Sequence, residues 1–153
     1  MRGRRWPSGR LAAAVVAALA ASAAHDGHAQ AKDVSKPYVV EYYYQVKWGS
    51  FDEFLRLFKK NHYPVLMKEK ELGRIIKVDA VRPRLHGTED GRWDLRVTIT
   101  WRDAATANDD FDPASITSAL YPDKATFERE EQRRFELLLA HWDLPVRDAP
   151  LDR

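Results

Sequence analysis

Apolar residues at every second position predict three strands along the chain. In residues 38–48 one parity is apolar or aromatic: Tyr38, Val40, Tyr42, Tyr44, Val46 and Trp48. Residues 92–101 alternate in the same way, with the apolar face formed by Trp93, Leu95, Val97, Ile99 and Trp101. Residues 74–86 alternate less strictly, and Pro83 makes the far end of that strand an edge or a bulge. Asp90-Gly91 predicts a hairpin turn, because this pair accepts a positive φ.

Three- and four-residue spacing predicts a helix that begins near Ser50 and ends before Gly73, a residue suited to the position after a helix. Ser50 and Glu53 have the spacing of a capping box. The predicted buried stripe contains Phe51, Phe54, Leu55, Phe58, His62, Val65 and Leu66. Pro64 lies inside this pattern and removes one backbone hydrogen bond, so we expect a kink or a break into two segments at residues 61–64.

Residues 103–122 are polar and rich in small side chains, and a connection this long is usually functional or mobile. Asp112-Pro113 is suited to capping a short helical turn within them. Asp123 then predicts the start of a second helix that reaches about His141. Its inward side is predicted to contain Phe127, Arg134 or Phe135, Leu138 and Trp142. Residues 144–146 complete the pattern as a last short strand.

The predicted order is β-α-β-β-α-β, which is an α+β, ferredoxin-like arrangement. A four-stranded antiparallel sheet with two helices on one face leaves its other face open. That open face is partly apolar, since it includes Val39 and Tyr43. We therefore expect a partner to cover it, and a symmetric homodimer is the simplest solution.

Residues 1–31 have the pattern of a cleaved secretory signal peptide. A basic region ends at Arg10, an apolar run covers residues 11–24, and Ala29-Gln30-Ala31 is a small-x-small cleavage site. The alternative is a membrane anchor, but the run has about 14 residues where a spanning helix needs roughly 20. Arg4-Arg5 suggests twin-arginine export, although the residues after it match poorly, which favours the general secretory route. The expected location is periplasmic or secreted, with a tail at 32–36 and one domain at 37–150.

Charge argues against a role in binding polyanions. The chain has 25 Lys and Arg against 23 Asp and Glu, but the leader holds four of the bases and one of the acids, which leaves 21 and 22. A nearly neutral domain predicts no nucleic-acid partner and no membrane association after signal cleavage. The chain has no cysteine, so it can form no disulfide and carries no lipoprotein attachment site.

The segment from Phe54 to Leu66 (FLRLFKKNHYPVL) resembles the first helix of dimeric α+β-barrel proteins, especially their EthD-like and NIPSNAP-like branches. Those branches often carry His-x-Pro at the place of His62 and Pro64. The resemblance extends over about residues 37–150. It implies a homodimer whose two sheets form a barrel, with a pocket between sheet and helices in each subunit. Members include cofactor-independent monooxygenases, lactone isomerases, cyclases and haem enzymes. The leader and the long 103–122 loop depart from the family pattern, so the resemblance does not identify a substrate for this chain.

His62 is the candidate catalytic residue, because periodicity places it on the buried stripe beside the predicted kink. A half-buried imidazole there could act as general base or acid. The alternative is a structural role, in which His62 hydrogen-bonds the carbonyl freed by Pro64 or a strand tyrosine. The resemblance favours the functional role, since the matching histidine of related proteins lines the pocket.

Four further residues are candidates for substrate binding. Tyr44 and His86 are possible orienting groups, although a bulge at Pro83 would change the direction of His86. Asp94 and Arg96 share one face of the third predicted strand, where they bind a polar substrate group or form a salt network with Glu41. His141 would lie at the end of the second helix and act as its C-terminal cap.

No cofactor and no metal are predicted. The histidines of the mature chain, His62, His86 and His141, lack a short ligand spacing. Motifs of serine hydrolases, P-loop proteins and dinucleotide-binding proteins do not occur in the sequence. Two hypotheses remain. One is an exported homodimer that binds a small apolar or aromatic molecule between sheet and helices, with His62 in proton-transfer or oxygenase-like chemistry. The other is a non-catalytic binding or assembly module of the cell envelope, whose 103–122 loop docks a partner.

Overall fold

The computed structural model describes residues 36–152, so the predicted signal peptide at 1–31 lies outside the described residues. Within 36–152 no helix is both long and apolar enough to cross a membrane. The elements in chain order are β1 (Tyr38–Val46), α1 (Phe51–Leu57), a π-helical segment (Phe58–His62), α2 (Tyr63–Glu71), β2 (Ile75–Val81), β3 (Leu95–Trp101), α3 (Ala104–Ala107), α4 (Ala114–Leu120), α5 (Lys124–Glu136) and β4 (Leu138–Val146).

The four strands form one antiparallel sheet in the order β2-β3-β1-β4. The first and third strands along the chain are therefore the central pair, and the strands that follow each helical connection lie at the edges. This order is the split βαβ arrangement, so the ferredoxin-like α+β prediction is confirmed by the topology itself.

Strand register separates a helix-covered face from an open face. Tyr44 lies opposite Leu95, and Tyr42 lies opposite Val97. Together with α1, the π-helical segment and α2, this face forms the core: Val40, Tyr44, Val46, Phe54, Leu57, Phe58, Leu66, Ile75, Leu95, Val97, Ile99, Trp101 and Leu137. The strict alternation of β3 between buried and half-buried residues confirms the predicted parity from Leu95 to Trp101. For Trp93 the prediction is wrong, because the chain leaves the sheet before Leu95 and Trp93 packs against Tyr43 on the open face.

Glycines mark both ends of the first helical region. Gly49, with φ +77°, ends the extended chain after β1, and Gly73, with φ +73°, follows the last helical residues as predicted. The prediction of a capping box is wrong, because the Ser50 side chain makes no cap hydrogen bond. The Glu53 carboxylate instead accepts two hydrogen bonds from Arg133 of α5, at 2.9 and 3.0 Å.

The β2–β3 connection differs from the predicted hairpin. Strand β2 ends at Val81, β3 begins at Leu95, and Gly91 does not adopt a positive φ. The cause is Arg92, which is only 3% exposed. Its guanidinium pairs with Asp94 and Glu89 and donates to the Val46 carbonyl at 2.9 Å. The predicted turn is present, because the Gly91 amide donates to the Thr88 carbonyl at 3.1 Å. It belongs to a longer loop organised around a buried guanidinium, rather than to a two-residue hairpin.

The second helix is shorter than predicted and β4 is longer. Helix α5 ends at Glu136, and the carbonyl of Leu137 accepts a hydrogen bond from the Lys47 amide at 2.9 Å. The apolar run that follows suits a helix or a strand, and pairing with β1 makes it a strand. His141 is therefore no helix cap but lies opposite Tyr44 in the sheet. Of the two alternatives for the inward side of α5, Arg134 is buried and Phe135 is 54% exposed.

The 103–122 segment is folded back onto the domain. Asp112 accepts a hydrogen bond from the Ala114 amide at 2.8 Å, although the N-cap residue of α4 is Pro113, which makes no side-chain cap. Arg74 follows α2 in the chain. Its guanidinium donates to the Asp109 carboxylate at 2.7 and 2.9 Å and lies 3.8 Å from the centre of the Phe111 ring. These contacts fasten the first half of the loop beside the start of β2.

Candidate functional site

The candidate site is organised by the π-helical segment in the middle of the first helical region. The Tyr63 amide donates to the Phe58 carbonyl, five residues earlier, where an α-helix would use the residue four earlier. Pro64 has no amide hydrogen, so it cannot bond the Lys60 carbonyl, and its ring would crowd that carbonyl in a regular helix. The predicted break is thus a local widening of the helix, a feature often found at functional sites.

The hydroxyl of Tyr121 occupies the place beside the freed carbonyls. It lies 2.9 Å from the Lys60 carbonyl and 2.9 Å from the Asn61 carbonyl. Its ring stacks on Phe127 of α5, with 4.5 Å between centroids. Tyr121 of the long loop therefore satisfies the backbone that Pro64 leaves without a partner, a role that one alternative had given to His62.

Glu130 of α5 holds the same segment from a second direction. Its carboxylate accepts hydrogen bonds from the Lys60 ammonium at 2.7 Å and from the Asn61 side-chain amide at 3.0 Å. These bonds, that from Lys60 first, lower the pKa of Glu130. Asn61 is 1% exposed, and its side-chain oxygen has no hydrogen-bond partner among residues 36–152. The segment is therefore fixed by side chains of the loop and of α5.

His62 ends the π-helical segment, and its ring packs against Phe58 with centroids 5.1 Å apart. Its ring nitrogens have no hydrogen-bond partner in the described part of the chain. Burial and, to a smaller extent, the positive charge of Arg134 lower the pKa of His62 to about 4, while Glu131 opposes both. At neutral pH the imidazole is therefore uncharged, with one nitrogen able to accept a proton.

Tyr44 and His141 lie near His62 on the helix-covered face. Their rings stack with centroids 4.3 Å apart. The His141 Nδ1 lies 2.8 Å from the Tyr43 carbonyl, and its Nε2 lies 3.3 Å from the Asp143 carboxylate. Burial raises the pKa of the Tyr44 hydroxyl, so that group stays protonated. Sequence reasoning missed His141 as a neighbour because it placed this residue in a helix.

The remaining sequence candidates lie elsewhere. Arg96 is on the open face, where its guanidinium lies 3.3 Å from the Glu41 carboxylate. This contact agrees with the alternative in which Arg96 belongs to a salt network. Asp94 accepts a hydrogen bond from the Val46 amide at 2.7 Å and pairs with Arg92. His86 is exposed and packs edge-on against Trp48. The structure brings Tyr44 and His62 into one neighbourhood, Asp94 and His86 into a second, and leaves Arg96 in a third.

An apolar cleft of about 330 Å³ lies between the helical region and the β2–β3 side of the sheet. Its walls are Leu55, Phe58, Lys59, Tyr63, Val78, Asp79, Ala80, Leu95 and Val97. His62 is not in its wall, but Phe58, which is, packs against the imidazole. The sequence signal for this cleft was weak, since Val78 and Ala80 lie on an edge strand whose alternation is incomplete.

A second cavity, of about 270 Å³, lies at the end of β1 and includes His86, Asp94 and Trp48 in its wall. The two cavities share no residue. Within residues 36–152 no group of three or more histidine, aspartate or glutamate side chains is placed to hold a metal ion. Both cavities therefore offer side chains and apolar surface, rather than a preformed metal centre, to a ligand.

Comparison with known proteins gives likeness of fold. No protein-family model matches the chain, and no curated protein sequence matches it. Similar solved structures include a NIPSNAP family protein from Agrobacterium tumefaciens (16% identity, 77% of this chain and 90% of that one, TM-score 0.45). Another is a dimeric ferredoxin-like protein from an uncultured marine organism (8% identity, 80% and 97%, TM-score 0.47). The fold assignment itself rests on the strand order β2-β3-β1-β4.

Replacing Tyr121 by Phe tests the support of the π-helical segment. The variant keeps the ring stacked on Phe127 but removes the one hydroxyl hydrogen that the Lys60 and Asn61 carbonyls share, so we expect a loss of about 1 to 2 kcal/mol in the free energy of unfolding. Urea unfolding followed by circular dichroism measures it. Tyr63→Phe is the matched control, because the Tyr63 hydroxyl has no hydrogen bond in residues 36–152. Equal stability of both variants would contradict the bridging role.

The lowered pKa of His62 predicts a pH dependence of stability. Between pH 6.5 and about 4 the unfolded chain binds a proton that the folded chain does not. The free energy of unfolding should therefore fall as the pH is lowered through this range, by on the order of 3 kcal/mol from this group. Urea unfolding at pH 7 and pH 4.5 should show a smaller loss in His62→Gln than in the parent. His86→Gln should behave as the parent, and an unchanged slope in His62→Gln would refute the assignment.

Proposed function

We propose that the protein is an exported homodimer that binds a small apolar or aromatic molecule in the cleft between the helical region and the sheet. The observation that carries this proposal is the chemistry of the cleft wall. Leu55, Phe58, Leu95 and Val97 supply apolar surface, whereas Lys59 and Tyr63 supply polar groups. Apolar walls with a few polar groups are the usual composition of ligand sites, and about 330 Å³ lies at the small end of their range.

The cleft is held in a fixed shape by the contacts around it. Phe58 is 4% exposed and packs between Tyr44 and Phe54 of the core, which fixes the floor of the cleft. Lys59 lies within the π-helical segment and Tyr63 follows it directly, and the Tyr121 hydroxyl bonds the backbone of this segment. Within residues 36–152 the Lys59 ammonium has no ion-pair partner, so it is available to a carbonyl or carboxylate of a ligand.

Homodimer formation is proposed from the open face of the sheet. Tyr43 stacks on Trp142 with centroids 5.3 Å apart and meets the edge of Trp93 at 5.6 Å. Leu144 and Val146 beside them are 46% and 41% exposed. An aromatic and aliphatic surface on a sheet, here with the Arg96–Glu41 ion pair beside it, is the kind of surface that a second copy of the chain would cover.

Export is proposed from the leader pattern of residues 1–31.

Proton transfer at His62 is the second candidate activity. The unpartnered, uncharged imidazole favours proton transfer. A base with a pKa near 4 is weak, however, and His62 is not among the residues that line the cleft. The geometry therefore supports binding more strongly than catalysis. The partner-docking role of the 103–122 loop has less support, because Asp109, Phe111 and Tyr121 are already engaged within the domain.

A neutral fluorescent probe, N-phenyl-1-naphthylamine, tests the cleft. We expect saturable binding to the parent and binding weaker by about tenfold or more in Ala80→Phe, because the larger ring fills the apolar wall. Ala119→Phe is the matched control, since Ala119 is exposed on α4 and lies outside the cleft. Fluorescence titration measures both. Equal affinity of the two variants would place the probe elsewhere and defeat the proposed site.

Substitution on the open face tests the homodimer. Leu144→Arg puts a charge into the proposed interface, so we expect the variant to be monomeric at concentrations where the parent is a dimer. Leu72→Arg is the control, because Leu72 is 60% exposed after α2 and away from that face. Sedimentation velocity distinguishes the species. A monomeric parent, or a Leu144→Arg variant that remains dimeric, would rule out this interface.

A further inference from the structure

The cavity at the end of β1 has a composition unlike that of the apolar cleft, and we call it the arginine cavity after Arg82 and Arg84 in its wall. It has a volume of about 270 Å³ and is also lined by Trp48, Phe51 and His86. The loop between β2 and β3 forms one side, and the turn from β1 to α1 forms the other. It therefore joins two cationic side chains to an aromatic wall.

The charged groups of this cavity are not equally available to a ligand. Arg92 is committed to Glu89, Asp94 and the Val46 carbonyl. The Lys47 ammonium donates to a backbone carbonyl of α5. Both cationic groups already have partners inside the protein, so neither is free to bind a ligand.

Arg82 and Arg84 are the pair that remains. Within residues 36–152 neither guanidinium has an ion pair or a hydrogen bond, and Arg82 only lies over the Phe51 ring, 4.4 Å from its centre. A guanidinium on an aromatic face keeps its N–H groups free at its edge. The cavity therefore presents unpaired donors whose planar geometry matches that of a carboxylate.

Trp48 supplies a rigid apolar wall beside these donors. It is 62% exposed, yet its indole nitrogen donates to the Glu89 carboxylate at 2.8 Å and its ring lies 4.1 Å from the Arg92 guanidinium. His86 meets its edge, with 5.8 Å between centroids. A large aromatic ring that is exposed but held in place has already lost the freedom that ligand binding would otherwise cost.

We infer that the arginine cavity is a second binding site, specific for a small aromatic carboxylate. The carboxylate would pair with Arg82 and Arg84, and the ring would lie against Trp48. The site is separate from the apolar cleft and does not depend on the function proposed for it. A neutral molecule of the same shape would leave both guanidinium groups unpaired, so charge decides the selectivity of this cavity.

Isothermal titration calorimetry with 2-naphthoate and its uncharged amide, 2-naphthamide, tests the site. We expect the parent to bind 2-naphthoate about tenfold or more tightly than the amide, and the double variant Arg82→Gln, Arg84→Gln to lose that preference. Arg56→Gln is the matched control on an exposed arginine of α1, and it should bind as the parent does. Ala80→Phe, which closes the apolar cleft, should also retain 2-naphthoate.

Nuclear magnetic resonance identifies the site directly. In protein labelled with ¹⁵N, 2-naphthoate should shift the indole signal of Trp48, assigned by its absence in Trp48→Phe. The inference is overturned by equal binding of acid and amide, by full affinity in the double arginine variant, or by a Trp48 signal that does not move at saturation. Loss of 2-naphthoate binding in Ala80→Phe alone would assign it to the apolar cleft and likewise overturn the inference.

Discussion

The missing amide hydrogen of Pro64 is the constraint on which the rest of the site depends. A proline inside a helix leaves one carbonyl without its donor and crowds the turn before it. Here the chain widens into a π-helical segment over Phe58–His62. The exposed carbonyls are bonded from outside by Tyr121, and the neighbouring side chains are bonded by Glu130. One local defect thus ties together the first helical region, the long loop and α5.

This arrangement gives the two sides of the segment different chemistry. On one side Phe58 and Tyr63 face the apolar cleft beside β2 and β3. On the other side His62 lies among charged and aromatic groups of α5 and β4, with Arg134 bonded to Glu131 at 2.7 and 3.0 Å. The apolar cleft and the buried imidazole therefore lie on opposite sides of one helical segment, and Phe58 contacts both of them.

Local pattern was sufficient where local physics decides the structure. The parity of β1 and β3, the buried stripe of the first helix and the break at Pro64 follow from period and from proline chemistry, and the strand order follows from the sequence of elements. The end of α5 is set by the pairing of β4 with β1. Sequence periodicity does not show this pairing, and it therefore places His141 in a helix. Burial of Arg92 determined the β2–β3 loop, and no sequence period reports that an arginine is buried. The cavities depend on such long-range contacts, which is why the candidate residues were dispersed in the structure.

Native-state amide hydrogen exchange at Tyr63 tests most directly whether the π-helical segment is held from outside. The Tyr63 amide bonds the Phe58 carbonyl. If Tyr121 and Glu130 fix the segment, the free energy of opening at the Tyr63 amide should equal that at a core amide such as Leu66. Exchange of the Tyr63 amide at a much lower free energy, while Leu66 stays protected, would show a segment that opens on its own and would contradict the account.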